Sequence, residues 1–207
     1  MASLCPSKIV CVGRNYAKHA AELGNDVPSE PLIFFKPPSS MIQEGDMIVM
    51  PVGSGRVDFE GEIGVVIGKR ARGVSAAEAW DYVESLVPVN DVTSRHYQNS
   101  DDQWARAKGF DTFCPVGTPV PLAEVDLETL GVTTHVNGEL LQDGEASDMV
   151  FDIPAIIEYV SDIMTLEAGD LILTGTPDGV QPLSHGDEVT VTVTGVGAVS
   201  NPVVAAS

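Results

Sequence analysis

Two glutamates one residue apart sit in the segment Asp58-Phe59-Glu60-Gly61-Glu62, which runs directly into the apolar stretch Val65-Val66-Ile67. In an extended strand, residues i and i+2 share a face, so Glu60 and Glu62 project side by side. Anions at that spacing repel, and burying them unpaired is costly. Solvent exposure, raised pKa values or a bound cation would each resolve the conflict, and the pair alone does not choose among them. The neighbours do more. Gly61 is read as leaving the opposite face uncrowded, and a second apolar run ends in Asn90-Asp91. Glu60, Glu62 and Asp91 converging from two strands would form an all-oxygen site suited to Mg2+ or Mn2+, with open positions for water and substrate. No paired histidines or thiolates nearby point to zinc.

Three of the chain's 11 basic residues, Arg95, Arg106 and Lys108, follow Asp91 closely. They read either as a solvated surface segment or as a cationic wall that faces the metal and holds a carboxylate or an oxyanion. His19 and Glu22 lie three apart and share a helix face if that segment is helical. As a dyad, the glutamate would orient the imidazole so that it can deprotonate water; as a bland pair, they are a surface contact. Gly13 ahead of them suits a segment that closes over substrate. Leu173-Thr174-Gly175-Thr176-Pro177-Asp178-Gly179-Val180 reads as a tight turn, or as hydroxyls and backbone N–H groups brought to a carboxylate. His135 and His185 have no such company and read as structural.

These residues must be placed by many short strands and a few helices. Strands are predicted at Lys8–Val12, Leu32–Phe35, Asp46–Met50, Phe59–Gly68, Leu86–Val92, Val132–Val136, Glu139–Gln142, Leu171–Thr174 and Glu188–Thr194. Helices are predicted at about Asn15–Leu23, after a capping box at Ser75-Ala-Ala-Glu78, and from Asp152 to about Met164 with Pro154 in the first turn. Asn137-Gly138 marks a hairpin. Strands outnumber helices without alternating with them, which disfavours a doubly wound parallel sheet and favours a mainly β architecture with peripheral helices.

The chain's 207 residues suffice for one domain with a core, and its 43% hydrophobic and 20% charged content argues against disorder. No run approaches the ~20 apolar residues that span a bilayer. The first residues lack the basic start and apolar stretch of a signal peptide, so the expected compartment is the cytoplasm. Cys5, Cys11 and Cys114 have neither disulfide nor zinc spacing and read as reduced, with a reactive Cys114 as the minority reading. A formal charge of −19 repels nucleic acid and anionic membranes, which removes both as partners. With only five lysines, the acidic surface also raises the hypothesis of adaptation to high salt; full folding and activity in dilute buffer, unchanged by molar KCl, would argue against it.

Taken in order, the segments Gly13-Arg14-Asn15-Tyr16 with His19 and Glu22, Phe59-Glu60-Gly61-Glu62, Asn90-Asp91-Val92-Thr93 with Arg95 and Gln98, Arg106-Ala107-Lys108-Gly109-Phe110-Asp111 and Leu173-Thr174-Gly175-Thr176-Pro177 match a known pattern from about residue 8 to 200. The chain resembles the fumarylacetoacetate hydrolase family, in particular its short acylpyruvase and oxaloacetate decarboxylase-like branch. The resemblance implies an α+β, predominantly β fold: a mixed β-sheet roll of the fumarylacetoacetase type with a few peripheral helices. It also implies a single catalytic domain over residues 1–207 with a lid at 13–24, a homodimer, and Mg2+ or Mn2+. It assigns Glu60, Glu62 and Asp91 to the metal, His19 with Glu22 to water activation, and Lys108 to a catalytic place beside the substrate. Arg14, Tyr16, Arg95, Gln98 and Thr176 join as substrate-binding residues. Two positions depart from the pattern, Gln181 in place of a turn glycine and His96 in place of an acidic residue, and both are expected near the pocket.

The implied reaction is hydrolysis of the C–C bond of a 2,4-dioxo acid of the acylpyruvate or fumarylpyruvate type. The ion would stabilise a departing pyruvate enolate while His19 delivers water to the C4 carbonyl and Lys108 or a neighbour steadies the oxyanion. Oxaloacetate decarboxylation and isomerisation of 2-hydroxyhepta-2,4-diene-1,7-dioate are alternatives on the same site. Two further alternatives belong to other classes. A non-catalytic, metal-stabilised binding module predicts no turnover of any 2-oxo acid. A Cys–His hydrolase using Cys114 predicts sensitivity to thiol alkylation and indifference to chelator.

Overall fold

Valine takes every second position in Glu188–Val193, as Ile63, Val65 and Ile67 do in Gly61–Ile67, and the structure, a computed structural model, stacks such strands into two main sheets. It describes residues 4–22, 24 and 26–206, so the predicted helix end at Leu23, with the chain's first three residues, Asn25 and Ser207, lies outside the described residues. The larger sheet has six strands in the order Val120–Pro121, Val83–Asn90, Gly61–Ile67, Leu171–Leu173, Ile9–Gly13, Leu32–Lys36. Only Ile9–Gly13 and Leu171–Leu173 run parallel; the other neighbours are antiparallel. The second sheet orders Glu139–Glu145, Gly131–Val136, Glu188–Val193, Gly197–Ala205 and Ile48–Met50. The mixed, predominantly β fold expected from the sequence is therefore the fold observed.

Gly61–Ile67 is buried along its whole length because it is covered on both faces. Ile63, Val65 and Ile67 join a core with Val132, Val191 and Val193 of the second sheet and with Ile156, Ile157 and Val160 of the helix Ile153–Ile163. Val66 faces the other way, into a cluster with Val87, Val89, Leu171 and Leu173. Glu60 and Glu62 share the parity of Val66, so they fall on the face turned away from the second sheet. Gly61 points toward that sheet, where a Cβ would stand 2.1 Å from Thr134 Oγ1. The face is therefore crowded, not open as the sequence suggested: glycine stands there because the second sheet packs against the backbone.

Local signals account for most boundaries. Asp152 caps the helix Ile153–Ile163, its side chain accepting the Ala155 N–H at 2.8 Å. Asn137 and Gly138 both take positive φ, 52° and 82°, as a two-residue hairpin turn requires. The first helix is shorter than predicted, Ala17–Glu22, because residues 14–16 are committed elsewhere. Asn15 exchanges hydrogen bonds with the Phe151 backbone and donates to Thr174 O, and Tyr16 bridges to Met149. The predicted capping box is a Ser75 Oγ bond to Glu78 Oε2 at 2.6 Å without a bond to backbone N–H, and it opens a 3-10 segment, Ala76–Tyr82. Among the described residues, no helix is long and apolar enough to cross a membrane.

Candidate active site

Glu60 immediately precedes the strand Gly61–Ile67, Glu62 is its second residue, and Asp91 immediately follows the strand Val83–Asn90. These strands pair antiparallel with Gly61 opposite Asn90, which carries Asp91 to the glutamates. The Asp91 N–H donates to Glu60 O at 2.8 Å, and Asn90 Oδ1 accepts the Glu60 N–H at 3.0 Å. One carboxylate oxygen from each of Glu60, Glu62 and Asp91 lies within 4.8 Å of the others, and all three residues are buried.

Three buried carboxylates need compensating charge. Lys108 Nζ lies 2.6 Å from both Glu60 Oε2 and Asp91 Oδ2. Arg95 reaches Glu60 Oε1 with Nη1 at 2.7 Å and Asp58 Oδ2 with Nε at 2.8 Å. Lys36 Nζ lies 2.7 Å from Asp91 Oδ1 as a charge contact and donates to Val92 O at 3.2 Å. Burial alone would push the Glu60 carboxyl up, but Lys108, Arg95 and His19 outweigh it and hold its pKa at about 2. Glu62 behaves oppositely. Burial, then Asp91 and Glu60, push its pKa well above the carboxylate range, against Lys108 and a 2.7 Å hydrogen bond from Gly175 N–H. Burial works against the Lys108 ammonium, yet Asp91 and Glu60 keep its pKa raised. Hard carboxylate oxygens gathered this closely, with Glu62 short of positive charge, fit a small divalent cation.

The three carboxylates line a cavity of about 360 Å³ together with His19, Arg14, Arg95, Gln98, Lys108 and Thr176. His19 lies in the helix Ala17–Glu22 with its Nδ1 3.3 Å from Glu22 Oε2. Glu22 in turn accepts the Gly179 N–H at 3.2 Å, so the turn after Pro177 pins the helix in place. Burial lowers the pKa of His19, against the opposing pull of Glu60 and Glu22. Arg14 sits at φ 58°, a left-handed conformation that costs a side-chain-bearing residue about 1 kcal/mol. Gln98 Oε1 accepts from Arg95 Nη1 at 2.8 Å, and Thr176 Oγ1 donates to Gly61 O at 2.9 Å.

Ten of the eleven candidate residues thus fall on or directly behind one cavity, and Tyr16 does not. Its hydroxyl is buried without a hydrogen-bond partner, and its ring packs near Gly144 outside the cavity wall. The basic segment divides between its two readings. Arg95 and Lys108 turn inward, whereas Arg106 is exposed, stacks on Tyr97 at 3.8 Å and pairs with Asp101. Gln181 and His96 are exposed and do not line the cavity. Cys114 is buried and its thiol pKa is pushed up to about 12 by burial, which removes the thiolate that a cysteine nucleophile needs.

Several residues were missed. Lys36, in the apolar run Leu-Ile-Phe-Phe-Lys, carried no local sign of an inward ammonium. Asp58 is fully buried and takes both Arg56 and Arg95, a role hidden by its place just ahead of the Glu-x-Glu pair. Phe34 and Trp104 line the cavity edge to face, with centroids 5.2 Å apart, and Phe34 stands 4.9 Å from Lys108 Nζ.

A family model described as fumarylacetoacetate (FAA) hydrolase C-terminal matches residues 8–204. The chain is 45% identical over 195 residues to the mitochondrial oxaloacetate decarboxylase of Dictyostelium discoideum, covering 91% of this chain and 89% of that protein. It is 46% identical over 198 residues to a mitochondrial oxaloacetate tautomerase of Arabidopsis thaliana, covering 93% and 89%. A crystal structure of 5-carboxymethyl-2-hydroxymuconate delta-isomerase from Mycobacterium smegmatis superimposes with a TM-score of 0.92 at 42% identity, covering 100% of this chain and 82% of that one.

Proposed function

This chain belongs to the fumarylacetoacetate hydrolase family, and from that premise we propose that it is a Mg2+- or Mn2+-dependent hydrolase cleaving the C–C bond of a 2,4-dioxo acid. One observation carries the reading: the three-carboxylate set and the His19–Glu22 pair line the same cavity. A divalent cation held by Glu60, Glu62 and Asp91 would supply Lewis-acid stabilisation to an enolate.

The chain's own side chains do the rest. With Nδ1–H donated to Glu22, His19 presents Nε2 as the accepting nitrogen, and burial, which lowers its pKa, favours the neutral form. Nε2 takes a proton from water directed at the C4 carbonyl and returns it to the carbon of the departing pyruvate, which balances the step. Arg95 and Gln98 orient the substrate carboxylate, and Lys108 steadies the oxyanion at C4. Phe34 and Trp104 keep bulk water from one side of the cavity.

A second reading, decarboxylation or tautomerisation of oxaloacetate, is favoured by relatives bearing those names at 45–46% identity. Decarboxylation needs no water attack, so the His19–Glu22 pair favours hydrolysis over it; tautomerisation, a proton transfer, would use the same pair. Pyruvate release from acetylpyruvate with Mg2+ or Mn2+, with EDTA, and with oxaloacetate in parallel tests both. Metal-dependent cleavage of acetylpyruvate is expected. Release from oxaloacetate alone would favour decarboxylation, and release from neither, with metal bound, would move the assignment to tautomerisation or isomerisation. The proposal includes a homodimer, checked by light scattering, and cytoplasmic residence, suited to three free cysteines and checked by fractionation.

A further inference from the structure

The turn at 174–179 touches both halves of the site. Its Gly175 N–H donates to Glu62 Oε2 at 2.7 Å, and its Gly179 N–H donates to Glu22 at 3.2 Å. Thr174 fixes the start of the turn, its Oγ1 donating to Ile63 O at 2.9 Å. The middle is held by a residue that does not line the cavity, Gln142 of the strand Glu139–Glu145 in the second sheet. Gln142 is 1% exposed, so its amide needs partners inside the protein.

Those partners fix the direction of every bond. Gly61 N–H can only donate, so the amide oxygen of Gln142 faces it, at 3.0 Å; Pro177 O can only accept, so the amide nitrogen faces that, at 2.8 Å. The other Nε2 hydrogen goes to Thr176 Oγ1 at 2.7 Å, and the Thr176 hydroxyl passes its own proton to Gly61 O at 2.9 Å. Gly61, Gln142 and Thr176 thus close a ring of three hydrogen bonds on the two peptide groups that flank Gly61, and Glu60 and Glu62 project from either side of it.

Glycines let the strand and the turn meet this closely. A Cβ at Gly179 would stand 2.0 Å from Leu141 O, and one at Gly144 would stand 2.6 Å from Pro177 Cβ. A buried amide left half-bonded is costly, so the ring resists displacement of any one member.

We propose that Gln142 is a positioning residue: it sets the turn at 174–179 against Gly61 and so aligns the cation-binding carboxylates with the His19–Glu22 pair. The inference rests on the reading of Glu60, Glu62 and Asp91 as a cation site. Its test needs no turnover. Mn2+ affinity is read by electron paramagnetic resonance and exchange of the Gly179 amide hydrogen by NMR, both in the full chain below its melting temperature. Gln142→Met removes all three bonds at similar side-chain length, and it should weaken Mn2+ binding about tenfold or more and speed Gly179 exchange. Thr176→Val opens the ring at its other side chain and should do the same to both, whereas Thr176→Ser keeps the hydroxyl and should stay near the parent. Because the two openings break one ring, their losses should not add in the double variant. Val193→Ala, in the core of the same sheet and outside the ring, should lower the melting temperature and leave both readouts unchanged. If Gln142→Met does not fold, Thr176→Val carries the test. Parent-like values in either ring variant, equal losses in Val193→Ala, or weaker Mn2+ binding without faster Gly179 exchange would overturn the role of Gln142. A parent protein that binds no Mn2+ would instead remove the cation reading, and the alignment with it.

Discussion

Lys108 Nζ lies 2.6 Å from Glu60 Oε2 with both side chains buried, so the ammonium that sequence offers to an oxyanion is also a member of the carboxylate cluster. Removing one partner of a buried ion pair costs about 3–5 kcal/mol, chiefly because the other charge is stranded. Lys108→Met should therefore lower the melting temperature most in EDTA. Saturating Mg2+ or Mn2+ should recover much of the loss, because a cation bound to the same carboxylates stabilises the folded state by mass action. Equal losses in chelator and in metal, read by calorimetry, would separate Lys108 from the cluster's charge balance.

His19 is predicted to act as a base, and the sign of its shift makes the pH test specific. A general base must be neutral, and burial lowers the pKa of this imidazole below its ordinary 6.5. The acid limb of kcat/KM should accordingly fall below that value. Glu22 opposes the lowering, so Glu22→Gln should move the limb to still lower pH while also reducing the rate. His19→Ala should cut hydrolysis by ~10²–10⁴-fold with bound Mn2+ unchanged by electron paramagnetic resonance. An unaltered rate in that variant would remove the dyad from the mechanism.

Which parts were legible follows from how local their causes are. The Glu60/Glu62 alternation, the Asp152 cap and the Asn137-Gly138 turn are set by neighbours in sequence, and each took the form its residues dictate. Lys36 was invisible because its inward position is set by register: Ile9 pairs with Lys36 and Gly13 with Leu32 across a long connection, and nothing in the apolar run announces Asp91. The last strand, Gly197–Ala205, escaped because Pro202 falls within it, and proline counts against a strand. It pairs antiparallel on one side, with Pro202 opposite Glu188, and parallel to Ile48–Met50 on the other only from Val203 onward. Gly61 was noticed for the right position and the wrong reason, since only the arrival of the second sheet shows what its missing side chain makes room for.

Cysteine chemistry and metal chemistry predict opposite sensitivities. Cys11 and Cys114 are buried with raised thiol pKa values, and Cys5 is exposed. Iodoacetamide under native conditions should label Cys5 alone, by peptide mass, and leave turnover intact. EDTA should abolish turnover, and added Mn2+ should restore it. Alkylation at Cys114 that tracks a loss of activity would reverse this assignment.

Gly61→Ala tests the contact between the sheets that presents the carboxylates. Its Cβ would meet Thr134 Oγ1 at 2.1 Å, Gln142 Oε1 at 3.2 Å and Val191 Cγ1 at 3.3 Å. Overpacking of this kind costs about 1–3 kcal/mol and sometimes more. Gly61 N–H also donates to Gln142 Oε1 at 3.0 Å, and its carbonyl accepts from Thr176 Oγ1, so the backbone between Glu60 and Glu62 has little freedom to yield. The variant should lose both thermal stability and Mn2+ affinity. Thr134 Oγ1 is buried without a hydrogen-bond partner, so Thr134→Ala alone forfeits no such bond. In the Gly61→Ala background, it removes the closest contact and should restore part of both losses. Restored stability without restored metal affinity would mean that the sheet contact supports the fold but does not aim the glutamates.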